Sequence, residues 1–352
     1  MSGRRSPAVV ALAATAALCL QAGAPAPASA SDDSGFRIAD DRITESSGLA
    51  LSRAHPHTVW TANDSGDTAR VFAVDTRTGR TVGVHRFDAP VWDVEALALA
   101  ADGRLLVGDL GDNTGSRKVA RIFWFDEPAL GQTSGASASW EVAYPDGPHD
   151  AEALAVQPRT GRVYVVTKGR DGGGVYALPE KPSRTGVNRL ERVASAPAMV
   201  TDAVFLPDGS GLVVRTYTHA VLLDGESFLQ VASDLLPLQP QGETVALAPG
   251  SRALLVGSEG RRSVVQRVPV PQRPRPTPQQ PTLPSGPSDG IGLRETPLDV
   301  SHFAAEPSLA QRARELVGSP TGAVVGVVAL TALLVGLGLA VRQARRRRAG
   351  QH

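Results

Sequence analysis

Acidic residues recur through the middle of this 352-residue chain at positions that a single site could use. Glu45, Asp93 and Asp150 each stand two residues before a second polar residue (Ser47, Glu95 and Glu152), and each of those opens a short run rich in Ala and Leu. Asn63-Asp64, Asp109 and Asp112-Asn113 follow the β-rich runs that come next. Oxygen donors of this kind suit a hard cation, since Ca²⁺ takes roughly six to eight oxygens from carboxylates, carbonyls and water. The candidate metal set is therefore Glu45, Asp64, Asp93, Glu95, Asp109, Asp112, Asn113, Asp150 and Glu152, with Ca²⁺ as the candidate ion. Such an ion either holds the fold together or polarises a phosphate or ester for attack by water. A third role needs no ion: the acids cap turn amides or pair with Arg70, Arg117, Lys168 or Arg215. The residues alone leave all three roles open.

Other chemistries find less support. Of the histidines, His149 alone precedes an acidic pair, so a zinc site is not expected. Ser65 lies in Asn-Asp-Ser-Gly, but the chain has no Gly-x-Ser-x-Gly elbow. Gly172-Gly173-Gly174 has no helix signal behind it and reads as a hairpin rather than a phosphate loop. Catalytic residues are not assignable.

The elements that must position the acids repeat. Segments beginning at Ser47, Glu95, Glu152, Asp202 and Glu243 lie 48, 57, 50 and 41 residues apart. Each opens an alternating run, then a turn, then a second β-rich run: TVWTAN, RLLVGD, RVYVVT, GLVVRT and ALLVGS. Asp102-Gly103, Thr160-Gly161 and Asp208-Gly209 supply the positive backbone angle that hairpins need. Third runs follow (RVFAVD, RIFWFD, GVYAL, AVLL, SVVQRV). The apolar period is two, which excludes helical repeats. About four short strands per 40–57 residues predicts a β-propeller blade, so the fold class is all-β. Five starts give five blades, with six the alternative count and a β-sandwich the rival fold. The last repeat ends after its third strand near Val268, so Phe36 to Ala39 is expected to pair with Ser263 to Val268 and close the ring. Closure would place the five segment starts around one axis.

Glu45-Ser-Ser-Gly-Leu-Ala, Asn63-Asp-Ser-Gly, Asp93-Val-Glu-Ala-Leu-Ala and Gly108-Asp-Leu-Gly-Asp-Asn resemble the leading blades of bacterial secreted propellers. These are grouped with WD40-like and phytase-like propeller proteins, many of unknown function. The likeness spans about residues 36–268 and is most specific in the first two blades. The Trp-Asp blade ending and Gly-His opening of WD40 repeats are missing, so the standard WD40 partner surface is not implied.

The two ends read as addresses. Arg4 and Arg5, the apolar run Ala8 to Leu20 and Ala28-Ser29-Ala30 predict a signal peptide over residues 1–30. Cys19, the single cysteine, would leave with it, so no disulfide or thiolate site is expected. The ectodomain is then 31–268, followed by a Pro-rich stalk over 269–319, with eight prolines in 269–287. Residues 320–341 are uncharged and at ~1.5 Å per residue long enough to cross a bilayer as one transmembrane helix. Arg342 and Arg345 to Arg348 make 342–352 a basic cytoplasmic tail by the positive-inside rule. Between the ends, residues 31–341 hold 29 basic and 35 acidic residues, a net of −6 that disfavours nucleic acid as a partner. The sequence thus predicts a single-pass protein of the cell membrane with its propeller outside. Its partner would be an extracellular ligand or protein, or its substrate a phosphate or lactone ester. Protease added to intact cells should remove the propeller and leave the tail protected. A mature N-terminus near Met1, or a propeller shielded from protease, would contradict this topology.

Overall fold

The computed structural model describes residues 35–250 and 253–273. The expected signal peptide, transmembrane span, tail and nearly all of the stalk lie outside the described residues. Among the described residues no helix is long and apolar enough to cross a membrane.

The described chain is all β. Strand β1 (Phe36–Arg37) comes first, then β2 (Ser46–Leu51), β3 (Thr58–Asn63), β4 (Arg70–Asp75) and β5 (Thr81–Asp88). Next are β6 (Val94–Leu99), β7 (Arg104–Asp109), β8 (Ala120–Asp126), β9 (Gly131–Ala136) and β10 (Ala138–Ala143). The third group is β11 (Ala151–Val156), β12 (Val163–Thr167), β13 (Gly173–Ala177), β14 (Val187–Arg189) and β15 (Glu191–Ala196). The fourth is β16 (Val200–Phe205), β17 (Gly211–Thr216), β18 (His219–Asp224) and β19 (Gln230–Leu235). The last is β20 (Gly242–Leu247), β21 (Ala253–Ser258) and β22 (Val264–Pro269).

These strands form five sheets, each an antiparallel meander that starts at the axis. The inner strands meet in a ring: β2 on β6, β6 on β11, β11 on β16, β16 on β20, and β20 back on β2. The molecule is a five-bladed β-propeller, and the count of five expected from the repeat stands. The fifth blade is completed by β1, with Phe36 opposite Val265 and Arg37 opposite Val264. Closure through both ends ties the start of the chain to the last blade. Gly79 of the first blade has a φ of 68°, and a Cβ there would fall 1.7 Å from the Arg37 carbonyl oxygen. Only glycine lets the closing strand pass so near.

The core lies in five seams, one between each pair of blades. Between the first and second blades, Trp60, Val71 and Ala73 pack on Leu97, Leu105, Phe123 and Phe125. Between the fifth and first, Phe36, Ile38 and Val265 pack on Leu49, Val59 and Phe72. Each strand buries alternate side chains into opposite seams, as the period of two requires. Trp60 is wholly buried, and its indole N–H donates to Glu127 Oε1 at 2.8 Å.

Two strands exchange between blades, which the repeat did not announce. β9 leaves the second blade to run parallel to β5 on the outside of the first, and β14 leaves the third blade to run parallel to β10 on the second. The fold also runs past residue 268. Pro269 ends β22, Val270 is buried in the last seam, and Arg273 pairs with Asp224 at 2.8 Å.

Closure is a packing event, so Phe36→Ala should cost about 3 kcal/mol. A loss of unfolding free energy below about 1 kcal/mol in urea titration would mean β1 is an ornament rather than the closing strand.

Candidate metal centre

The register of the blades decides which acids meet. Each inner strand has a β-bulge in its first half, where one residue lacks a cross-strand partner. Counting through the bulge from the pairs Ser46–Asn63, Val94–Asp109, Ala151–Thr167, Val200–Thr216 and Gly242–Ser258, the equivalent residues are Ser47, Glu95, Glu152, Thr201 and Glu243. Asp202, aligned with these from the sequence, stands one place further, level with Gly48, Ala96, Ala153 and Thr244. A slip of one residue exchanges the two faces of a strand, and Ala203-Val204-Phe205 mimics the alternation in either register.

Asp202 therefore faces a different environment. It is wholly buried, its Oδ1 accepts from Ala203 N at 2.8 Å and its Oδ2 from Val245 N at 2.7 Å. The Leu49 amide of the first blade also favours the charge on this carboxyl. Burial pushes its carboxyl well above the usual range, against the pull of these amides and of Arg215. Arg215, its cross-strand partner and also wholly buried, donates to Thr244 O at 2.7 Å and to Gln239 Oε1 at 2.6 Å.

Several polar residues of the mouth, the expected ligands Asp109, Asp112 and Asp150 among them, are occupied with backbone. Asn63 Oδ1 accepts from Thr44 N and Glu45 N. Asp109 Oδ1 does the same for Trp92 N and Asp93 N, and is paired with Arg117 at 3.2 Å. Ser258 plays this part in the fifth blade with Gln241 N. Asp112 accepts from Arg117 N at 2.7 Å, and Asp150 accepts from Asp112 N at 2.7 Å. Asn113 is exposed beside them.

Other acids have a cation of their own. Lys168 Nζ lies 2.9 Å from Glu152 Oε1. Burial opposes the charge on this lysine, but Glu152 and Glu243 beside it raise its pKa well above the ordinary value. Burial lifts Glu243 to about 6, held there by Lys168, Gln241 and Arg215.

Among the acids without such a partner, Asp64, Asp93 and Glu95 converge, while Glu45 and Glu259 stand on the flanks. Single oxygens of Asp64, Asp93 and Glu95 all lie within 4.8 Å of one another. Oxygens on opposite sides of a calcium ion at about 2.3–2.6 Å are about 5 Å apart, so this spacing fits Ca²⁺. Ser47 Oγ donates to Glu95 Oε2 at 3.0 Å, and Ser65 N donates to Asp64 Oδ1. Gly111 makes the space: a Cβ there would fall 2.5 Å from Asp93 Oδ2 and 2.9 Å from Glu95 Cγ. Its amide bonds to Asp93 O as those of Asp64, Lys168 and Glu259 bond to Glu45, Asp150 and Gln241 in their blades. The second blade thus carries a bare backbone where its neighbours carry a charged side chain.

The electrostatics follow from crowding. Burial, a hydrogen bond to Asp64 and the charges of Asp64 and Asp150 push Asp93 up to about 8. Burial and the charges of Glu152, Asp64 and Asp93 push Glu95 well above the ordinary range. Glu259 on the flank is raised to about 8 by burial and by Glu243 and Asp64. Glu45 rises for the same reasons, with Asp64 and Asp67 as its neighbours. Trp92, next to Asp93, exposes 78% of its surface, and its backbone amide donates to Asp109 Oδ1. The sequence offered no signal for the roles of Gly111 or Thr201; both depend on register.

No family model matches the chain, and no curated protein matches it. Among solved structures it is similar to the Dos1 propeller (15% identity, TM-score 0.37, covering 63% of this chain and 58% of that one). It is similar to XC5397 from Xanthomonas campestris, a gluconolactonase (17%, TM-score 0.38, 66% of this chain and 91% of that one). It is also similar to the β-propeller domain of Myceliophteria thermophila Cps50 (Swd1) (14%, TM-score 0.36, 63% of each). The chain thus spans less than two thirds of the first and third of these chains.

The raised carboxyls give the metal-free protein a definite pH response. In the unfolded chain Asp93 ionises near 3.8, and in the fold near 8, so the folded state holds the extra proton. That stability is complete below about pH 4 and is lost as the pH rises toward 8. Without metal the melting temperature should fall over that window, and Asp93→Asn should flatten the fall. A wild-type melt whose pH dependence is unchanged by Asp93→Asn would show that the fold does not hold Asp93 protonated.

Proposed function

We propose that this chain is a cell-surface binding protein of the bacterial secreted propeller type, anchored by residues 320–341, whose acidic mouth holds Ca²⁺ between the first and second blades and through it an extracellular ligand. One observation carries the reading: Asp64, Asp93 and Glu95 converge around the Gly111 cradle with no cation of their own, whereas Lys168 and Arg215 serve the acids of the later blades. Carboxylates crowded in this way are stabilised by an ion that replaces the missing charge. Three side chains leave several calcium positions for water or ligand oxygens, and the exposed indole of Trp92 adds an aromatic surface beside them.

A metal-assisted hydrolase of phosphate or lactone esters, of phytase or esterase type, is the second reading. What favours it is Glu259, kept protonated to about pH 8 next to Asp64 and able to act as a general acid there.

Calcium should raise the melting temperature of the purified protein, by ~2.7 kcal/mol of stability at a hundredfold excess over its dissociation constant. Asp64→Asn with Asp93→Asn should abolish the response and raise the stability of the metal-free protein. If calcium leaves the melt unchanged and the substitutions destabilise, the acids are structural. Turnover of phosphate or lactone esters that requires calcium and is lost in Glu259→Gln would select the hydrolase.

A further inference from the structure

The outer edge of the first blade holds a titratable group that the mouth does not use. β9 crosses from the second blade to lie along β5, with Gly131 to Ala136 beside Gly83 to Asp88. Its sequence, Gly-Gln-Thr-Ser-Gly-Ala, brings no large apolar side chain, and five of its six residues are exposed. Thr133 is the exception, and its hydroxyl lies 2.8 Å from Nδ1 of His85 on β5. His85 is buried, packed 4.7 Å from the Phe125 ring of β8 and opposite Val71 of β4. Gly135 leaves it room: a Cβ there would stand 3.4 Å from the imidazole Cε1. Nε2, on the other side of the ring, is buried and meets no hydrogen-bond partner among the described residues.

This setting suits a neutral imidazole and penalises a charged one. A neutral ring can leave one nitrogen bare, whereas the imidazolium carries N–H on both and would bury a donor and a charge without a partner. None of the strands packed against it compensates. β9 has no titratable residue, β4 offers Val71 and β8 offers Phe125; Arg86 and Asp88 of β5 and Asp126 of β8 are exposed. Burial accordingly lowers the pKa of His85 from its ordinary 6.5. With β9 detached, the ring reaches water and the ordinary value returns. The attachment is therefore complete above about pH 6.5 and weakens as the pH falls from there toward the lowered value. The acids of the mouth respond with opposite sign, since they gain stability as the pH falls.

We propose that His85 is an acid-sensitive latch: protonation of its imidazole releases β9 from the first blade and bares the edge of β5, while the five-blade ring stays closed. A bared strand edge is a surface on which another chain can pair. Amide hydrogen exchange on the full chain tests the latch, read peptide by peptide from about pH 8 to about pH 4.5 and corrected for intrinsic rates. Peptides covering β9 should lose protection below about pH 6.5, by at most about tenfold per pH unit, the limit for a single proton. β17 and β18 should keep theirs. His85→Gln, which retains a donor for Thr133 and cannot be charged, should hold β9 protection constant over the range. If that variant fails to fold, the imidazole resonances of the wild type decide: the opening of β9 should track the titration of His85 itself. Constant β9 protection in the wild type, an equal loss in His85→Gln, opening at a pH where His85 does not titrate, or loss of all five blades together would overturn the proposal.

Discussion

A propeller of five blades brings its inner strands so near one axis that every side chain there must be matched with another. Asp202 is the point on which this depends. Its oxygens accept from its own strand and from Val245 N of the fifth blade, and the Leu49 amide of the first blade also favours its charge. A buried carboxylate is costly unless its oxygens are satisfied, and here three N–H groups and the nearby Arg215 share that task. Gly48 stands at the same level in the first blade, packed against Leu97 N where a Cβ would fall at 2.6 Å. The axis closes because one blade supplies the plug and another gives up its side chain.

The plug divides the channel. On one side of it lies a tier of carboxylates, and on the other the aliphatic ends of the inner strands. The charges above are not spread evenly. Glu152 and Glu243 share Lys168, with Arg215 beneath, while Asp64, Asp93 and Glu95 share only Ser47 Oγ, Ser65 N and one another. Arg117 of the second blade is hydrogen-bonded to Asp109 and to the Gly111 carbonyl, and its pull on Asp93 is outweighed by burial and by Asp64 and Asp150. The deficit of positive charge is therefore local to the first two blades.

Much of this was legible from the amino acids. The alternation, the turn glycines and the spacing of the segments led to five blades, and the short last repeat pointed to Phe36 as the closing strand. The acids of the first two blades stood out because Glu45, Asp93 and Asp150 recur at one offset. The sequence aligns Asp202 one place off its true level, because a β-bulge removes the cue that periodicity gives: the residue across from it, Arg215, fixes its place, and pairing is a property of two strands. Strands β9 and β14 were hidden for a related reason. Gly131-Gln-Thr-Ser-Gly-Ala and Val187-Asn-Arg have no apolar alternation, since they pair by backbone on the outside of a neighbouring blade. Gly111 was unreadable because its function is an absence, the space left for Asp93 and Glu95.

The central claim is that the missing charge sits beside Asp93, and Trp92 reports on that place directly. A terbium ion held by Asp64, Asp93 and Glu95 would lie within energy-transfer reach of the adjacent exposed indole, so excitation of tryptophan should produce terbium emission. The account predicts emission that saturates at one ion per chain, is displaced by calcium, and disappears in Trp92→Phe while terbium still stabilises that variant. Absence of sensitised emission, or emission that survives Asp64→Asn with Asp93→Asn, would contradict it.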